Sequence, residues 1–489
     1  MSQDFSLVFS ASEPQQADLS FSMPPNESVA SLSGPVVEEI YGRVSPVPVM
    51  EAPEGIRFDF NDGLRVKFPD TGGPWHIVFR DMDTGVILYS ADAQPGVYVS
   101  SVKKFYVRFR LEIFHKEEMD AFASAVKKNP YLAADKEKQP QPFFRHDYDA
   151  EGKVVMIQMP VSTIGDTLGW FPYVEKFRVK HRCHVLAVLL PHLADLLRDQ
   201  YPEITFITRE DVPSCQPYAC YYLGLFFRGD VDHQPCDFRY IGLHRTAGYI
   251  LGVDPGEERP RFNLSAPRRI AEHYVCIAVQ SSSQAKYWNN PAGWHDVVKF
   301  LRESGYRVLC IDRDAVYGQG LVYNHIPHGC EDFTGNIPLQ ERINLVKDAD
   351  FFIGVSSGLS WLAWGCRVPV VMISGFTNPT NEFYTPYRII NFHTCNSCWN
   401  DMRVDFDHFD YLWCPRHKGT PRQFECTRLI TSEQVINTIK KIPAFQQFTG
   451  SSGEESGFVP QEGISRQVEE QTIGLLQQDF CSMSDGEEA

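Results

Sequence analysis

Four cysteines late in the chain, Cys395, Cys398, Cys414 and Cys426, stand at the spacing C-x2-C-x15-C-x11-C. Four thiolates at such spacing make a closed tetrahedral metal centre, structural zinc by the usual chemistry of that ligand set, although the same ligands also hold one iron and the spacing does not decide between them. His393, His408 and His417 lie nearby and read as polar surface rather than ligands. Such a centre would organise a loop, residues 393 to 428, that is too polar to fold by itself. The chain has thirteen cysteines, but others such as Cys276 in YVCIAV and Cys310 in RVLCID sit in apolar runs and read as small core residues.

Three further segments carry groups that could do chemistry. In VSTIGDTLGWFP a carboxylate, Asp166, is bracketed by Gly165 and Gly169 and accompanied by Thr163, Thr167 and Leu168. The glycines would let backbone approach a substrate closely, and Asp166 is either a functional carboxylate or a helix N-cap. In SSSQAKYW the hydroxyls of Ser281 and Ser282 precede Lys286, a plausible cradle for a diphosphate, with a solvated surface lysine as the alternative. In FFIGVSSGLSWLAWG, Ser356 and Ser357 would cap a helix whose first turn, through Gly358 and Leu359, is aimed at an anion or is an ordinary capped start. Asp312, after the strand-like YRVLCI, could hold a ribose or be a turn acid on the surface.

These groups need a scaffold that brings them to one place. From Lys153 onward, apolar runs alternate with helical patterns: VVMIQM, ITFIT, VCIAVQ, YRVLCID and FFIGV read as strands, and HVLAVLLPHLADLLRDQ and WHDVVKFLRESG as helices. Strands apolar on both faces and alternating with helices imply parallel α/β sheets, and ligands then bind beyond the carboxyl ends of the strands. The span is long enough for two sheets facing one cleft, with the break between Gly248 and Arg269. In front of it, residues 55 to 114 alternate with period two around NDG and DTG turns, which predicts a small antiparallel unit. Residues 1 to 52 and 446 to 489, rich in Ser, Pro and Glu, read as disordered tails.

Composition narrows the class. A chain of 489 residues with 43% hydrophobic and 13% aromatic residues is globular over most of its length. The net charge of −16 argues against a general nucleic-acid binder. The start MSQDFSLVFSASEPQQ lacks the pattern of a signal peptide, and the longest apolar run is interrupted by Arg367 and Pro369, so no membrane span and a cytoplasmic location are expected.

Taken together, the three segments resemble the ADP-heptose glycosyltransferases of glycosyltransferase family 9. Gly165, Asp166, Leu168 and Pro172 match their GD-x-L-x-x-x-P turn, Ser281, Ser282, Lys286 and Trp288 match the hydroxyl pair with lysine and tryptophan, and SSGLSWL matches D-[ST]-G-L-S-H-L. Ser356 stands where that pattern has aspartate and Trp361 where it has histidine. The cysteine cluster is similar to the iron finger of the bacterial autotransporter heptosyltransferases, a resemblance that covers roughly residues 55 to 445. It implies an α/β GT-B fold: a β-barrel-like antiparallel domain at 53 to 120, an acceptor-side Rossmann-like domain at 150 to 265, and an ADP-sugar domain at 266 to 445 with a metal finger. It further implies one iron on the four cysteines, ADP-heptose as donor, serines of an autotransporter passenger domain as acceptors, and a homo-oligomer. Asp166 would be the base and Lys286 the group stabilising departing ADP, with Thr163, Gly165, Thr167, Leu168, Gly169, Ser281, Ser282, Asp312, Ser356, Ser357, Gly358 and Leu359 binding substrate.

Overall fold

A computed structural model describes residues 42 to 450, apart from 43, 136, 160–162, 225–230 and 408. Of the two tails expected to be disordered, residues 1–41 and 451–489 lie outside the described residues, as does His408; the inner ends are ordered instead, Met50–Glu51 by pairing as a strand and Pro443–Thr449 as a helix that buries Phe445.

Five parallel strands form the heart of the first sheet, in the order Ile204–Ile207, His184–Val188, Val154–Gln158, Ala219–Tyr222 and Arg57–Asn61. The last of these comes from the front of the chain. Antiparallel strands Arg65–Lys67 and Tyr98–Ser100 continue the sheet beyond it, and Met50–Glu51 also pairs with it. The expected NDG hairpin is present: Asp62 and Gly63 both take positive φ, 61° and 83°, the backbone of a tight turn whose twist suits the flanking strands. The remaining front strands, Ile87–Ala93, Trp75–Asp81, Phe109–His115 and Phe144–Asp147, make an open four-stranded antiparallel sheet. The front unit is thus antiparallel as expected but does not close as a barrel, because its first hairpin is spent on the edge of the α/β sheet. Phe58, Phe60, Trp75, Phe79 and Phe109 join it to Val155, Ile157 and Phe177 in one continuous core.

One reading of the sequence fails here. HVLAVLLPHLADLLRDQ is not one helix: His184–Val188 is a strand, and the helix starts only at Pro191, Pro191–Leu197. A buried parallel strand and a buried helix are both continuously apolar, so periodicity cannot separate them. Proline, which lacks an N–H and has its φ preset, marks the first helical turn.

The second sheet has six parallel strands, ordered Glu331–Asp332, Arg307–Cys310, Tyr274–Ala278, Phe352–Val355, Val370–Ile373 and Arg388–Ile389. A hairpin, Val316–Gln319 with Val322–His325, is inserted in this half. Helix Gly293–Glu303 buries Val297, Val298 and Leu301 on it and presents its charges outward.

Helix Ile164–His181, by contrast, is buried on nearly all sides. Trp170, Phe171, Tyr173, Val174 and Phe177 are within it, and it packs between the first sheet, helix Leu243–Ile250 and helix Gly358–Gly365 of the second half. That sandwich position brings the two halves together at the ends of their strands. Among the described residues, no helix is long and apolar enough to cross a membrane.

Candidate active site

The first motif lies in the opening turn of a helix, not in a loop before one. Thr163 is the N-cap of Ile164–His181, its hydroxyl accepting the Asp166 N–H at 3.4 Å and donating to the Asp166 carboxylate at 2.6 Å. Asp166 is therefore the third helical residue rather than the cap. Its carboxylate is held by one hydroxyl and points into a cleft of about 470 Å³.

That cleft is lined from both halves. Thr163, Gly165, Asp166 and Leu243 come from the first, and Lys286, Ser356, Ser357, Gly358, Trp361, Phe376, Thr377, Asn381, Glu382 and Trp399 from the second. Burial raises the Asp166 pKa above the ordinary carboxylate value, opposed by the Thr163 hydrogen bond and by the charge of Lys286. Burial likewise lowers the Lys286 pKa, opposed by Asp166 and Glu382. The two expected catalytic groups thus feel each other across one space, and desolvation poises both for proton or charge chemistry. Lys286 also lies over the Phe376 ring, 5.7 Å from its centroid.

The glycines also sit where two helices meet. A Cβ at Gly165 would lie 3.0 Å from Trp361 and 3.4 Å from the Gly358 Cα, while one at Gly358 would lie 2.8 Å from the Ile164 Cβ and 3.1 Å from the Gly165 nitrogen. A Cβ at Gly169 would touch Trp361 and His244 at 3.2 and 3.3 Å. These residues let the two helices approach closely, and the two motif glycines, which both line the cleft, face each other.

The serines of the third motif are also used differently. Ser357 occupies the N-cap position of Gly358–Gly365, but neither hydroxyl caps the helix. Ser356 is buried and donates at 2.5 Å to Glu382, a carboxylate 3% exposed that also accepts from Asn381 at 3.3 Å and from Arg388 at 2.5 Å. Burial works to raise the Glu382 pKa, but the charge of Arg388 and the hydrogen bonds from Ser356, Thr377 and Arg388 hold it below the ordinary value. A carboxylate therefore reaches the cleft beside Ser356 from a separate loop.

Of the other expected binding residues, Thr167 and Leu168 face the core, while Ser281, Ser282 and Leu359 are not part of the lining. Ser283 does the capping in that segment, accepting the Ala285 N–H at 3.3 Å. Trp288 is a core residue donating to the Ile430 carbonyl at 2.9 Å. Asp312 is buried, its carboxylate accepting the Val279 and Gln280 N–H groups at 2.7 and 3.3 Å, and burial pushes its pKa up to about 6. It ties adjacent strand ends together away from the cleft lining.

Leu243, Phe376, Thr377, Asn381, Glu382 and Trp399 were not anticipated as cleft residues, and Trp361 was noted only for its departure from the motif. Nothing in their types or spacing announces the role. Only Trp399, next to a candidate ligand cysteine, had a neighbour to draw attention to it.

The cysteine segment packs directly under this cleft. Ser397 and Trp399 donate backbone N–H groups to the Gly375 and Phe376 carbonyls at 2.8 and 3.1 Å, and Phe376, Trp399, Phe406 and Trp413 pack as a ring cluster. Cys398, Cys414 and Cys426 are buried and Cys395 is half-buried. Burial and the nearby Cys395 and Cys414 push the Cys398 thiol up to about 12, and Cys426 is raised by burial and by the other three cysteines. Ligand atoms of Cys395, His417 and Glu425 also come within 4.8 Å of one another. The Glu425 carboxylate is engaged by Arg422 at 2.6 and 2.8 Å and by the Cys395 N–H at 3.2 Å.

Residues 52–117 match the family model for the N-terminal domain of the glycosyltransferase TibC, and residues 241–402 match that for glycosyltransferase family 9 (heptosyltransferase). The autotransporter heptosyltransferase Aah of Escherichia coli is 51% identical over 399 residues, 82% of this chain and 96% of that protein. The autotransporter heptosyltransferase TibC of Escherichia coli O78:H11 is 52% identical over 395 residues, 81% of this chain and 91% of TibC. The crystal structure of TibC as a dodecameric, iron-containing heptosyltransferase with ADP-D-β-D-heptose superimposes with a TM-score of 0.74, at 51% identity, over 81% of this chain and 98% of TibC's. BimC of Burkholderia thailandensis, an inactive autotransporter heptosyltransferase, is 43% identical over 403 residues, 81% of this chain and 88% of BimC. The chain belongs to the autotransporter heptosyltransferases, within glycosyltransferase family 9.

Proposed function

We propose that the cleft transfers heptose from ADP-heptose to a serine hydroxyl of an autotransporter passenger domain, with inversion at the anomeric carbon. The observation that carries this reading is the convergence of Asp166 and Lys286, one from each half, on a single cleft. Asp166 takes the proton of the acceptor hydroxyl as its oxygen attacks the anomeric carbon from the face opposite the diphosphate. The bond to the diphosphate oxygen breaks, and Lys286 and the start of helix Gly358–Gly365 offset the negative charge that develops on ADP. The raised pKa of Asp166 makes it a stronger base than a solvated carboxylate, and Thr163 fixes its orientation. Ser356, Ser357 and the Ser356-bound Glu382 supply the polar wall against the sugar.

Cys395, Cys398, Cys414 and Cys426 would hold one iron, or zinc. Three of the four thiols are buried and the fourth half-buried in one segment, which suits a thiolate set, and Glu425, committed to Arg422 and the Cys395 amide, suits a support for that loop better than a ligand. The metal would supply cross-linking of the loop and takes no part in the transfer. The reading includes a cytoplasmic location and a homo-oligomer, as in the dodecameric relative.

The test is the intact mass of a passenger fragment incubated with the protein and ADP-heptose, beside the Asp166→Ala variant. Increments of one heptose are expected, with the variant slower by about 10² to 10⁴. A folded, metal-loaded protein that adds no mass would place it with the inactive relative.

A further inference from the structure

Asn400, which does not itself line the cleft, holds three structural units together at its edge. Its amide nitrogen donates to the Arg239 carbonyl of the first half at 2.9 Å and to the Asn381 side-chain oxygen of the second half at 3.2 Å. Its amide oxygen accepts the Asn378 N–H at 2.8 Å. Asn400 itself belongs to the Cys398–Asn400 turn of the cysteine segment.

The partners are neighbours of the cleft groups. Asn381 donates to Glu382, and the Asn381 backbone carbonyl accepts the Leu243 N–H at 3.0 Å, a second bond between the halves. Trp399, one residue before Asn400, packs on Phe238 of the first half and on Phe376 of the second, with ring centroids 5.7 and 5.9 Å apart. Phe376 in turn carries Lys286 over its face. One amide side chain of the cysteine segment thus spends both donor hydrogens and its acceptor on two other segments, one in each half.

We propose that Asn400 is a positioning residue for the transfer reaction: it locks the loop 374–382 and the cysteine segment onto the first half, so that Lys286 and Glu382 are held at a fixed distance from Asp166. The inference rests on the heptosyl-transfer reading given above. Because donor recognition is built from the second half and the base from the first, loosening this clamp misaligns the two without dismantling either. A displacement on the order of 1 Å between reacting groups costs about 100-fold in rate.

Asn400→Asp separates the effects, since it keeps the acceptor for the Asn378 N–H and loses both donors. In the full-length, metal-loaded protein, kcat should fall about 100-fold while the donor KM, the affinity for ADP and the bound metal per chain stay within about threefold of wild type. Hydrogen exchange should quicken in 374–382 and 238–243 and remain unchanged in the strands of both sheets. A kcat within about threefold of wild type would overturn the proposal. So would a fall in kcat matched by equal losses of ADP affinity and metal, which would make Asn400 a folding residue only. If wild type transfers no heptose, the reading of the reaction fails instead. The exchange pattern with unchanged ADP affinity then still decides whether Asn400 is the clamp.

Discussion

Two opposite-charge pairs of this molecule, Asp59 with Arg65 and Asp166 with Lys286, are built differently. Asp59 and Arg65, on neighbouring strands at the edge of the first sheet, meet in two bonds of 2.7 Å. Asn61 donates to the same carboxylate at 2.8 Å, and Arg65 reaches the Ser45 carbonyl at 3.1 Å. Asp166 and Lys286 share a cleft without an ion pair within 4 Å among the described residues, and burial pushes each toward its neutral form. In the first pair the hydrogen-bonding capacity is absorbed by protein. In the second, the Asp166 carboxylate takes a hydroxyl from Thr163 and Lys286 lies over the Phe376 ring, both at the cleft wall.

The comparison can be broken at three points. Arg65→Met strands a buried carboxylate and should lower unfolding free energy by about 3 to 5 kcal/mol in a denaturant titration, with the donor KM of the remaining folded enzyme unchanged. If the loss is under about 1 kcal/mol, the first pair is no more structural than the second.

Lys286→Met should lower kcat by about 100-fold, the size seen when one charge-stabilising donor is removed, with unfolding free energy little altered. Its pH profile sharpens the argument. In the proposed mechanism Asp166 acts deprotonated, so the rate is expected to fall as pH drops through its pKa, which burial has raised above the usual range; Lys286 pulls that pKa down, so its removal should move the acid limb to higher pH. An acid limb that stays in place would mean that the two groups do not sense each other.

Gly358→Ala has a smaller effect, about 1 to 3 kcal/mol of stability from overpacking against Ile164, read as a lowered Tm. Gly165→Ala, whose nearest contacts are 0.2 Å or more longer at 3.0 and 3.4 Å, should cost less.

Much of the scaffold was legible because burial on both faces writes itself into the sequence. Val154–Gln158, Tyr274–Ala278 and Phe352–Val355 stand where continuous apolar runs place them, and the Asn61–Asp62–Gly63 turn is fixed by residues that tolerate positive φ. The same apolar character hid His184–Val188, because a run without alternation has no period to read. Asp166 and Lys286 were legible as cleft residues because each stands after a strand at the end where parallel sheets bind ligands. Glu382 was not, since its role depends on Ser356 and Arg388 reaching it through folding rather than through spacing. The glycines were legible as sites of close approach, but nothing in their spacing named the second helix that meets them.

The close approach of the halves has a mechanical consequence. Backbone meets backbone at Gly165 with Gly358, and again where Gly242 lies against the Thr380 carbonyl. Two contacts without intervening side chains define a line, and rigid bodies pressed together along a line can roll about it but cannot slide far in any other direction. Any rotation of one half on the other would have its fulcrum here. Groups beside that axis, Asp166 and the start of helix Gly358–Gly365 among them, would travel least, and the outer rims would sweep the widest arc.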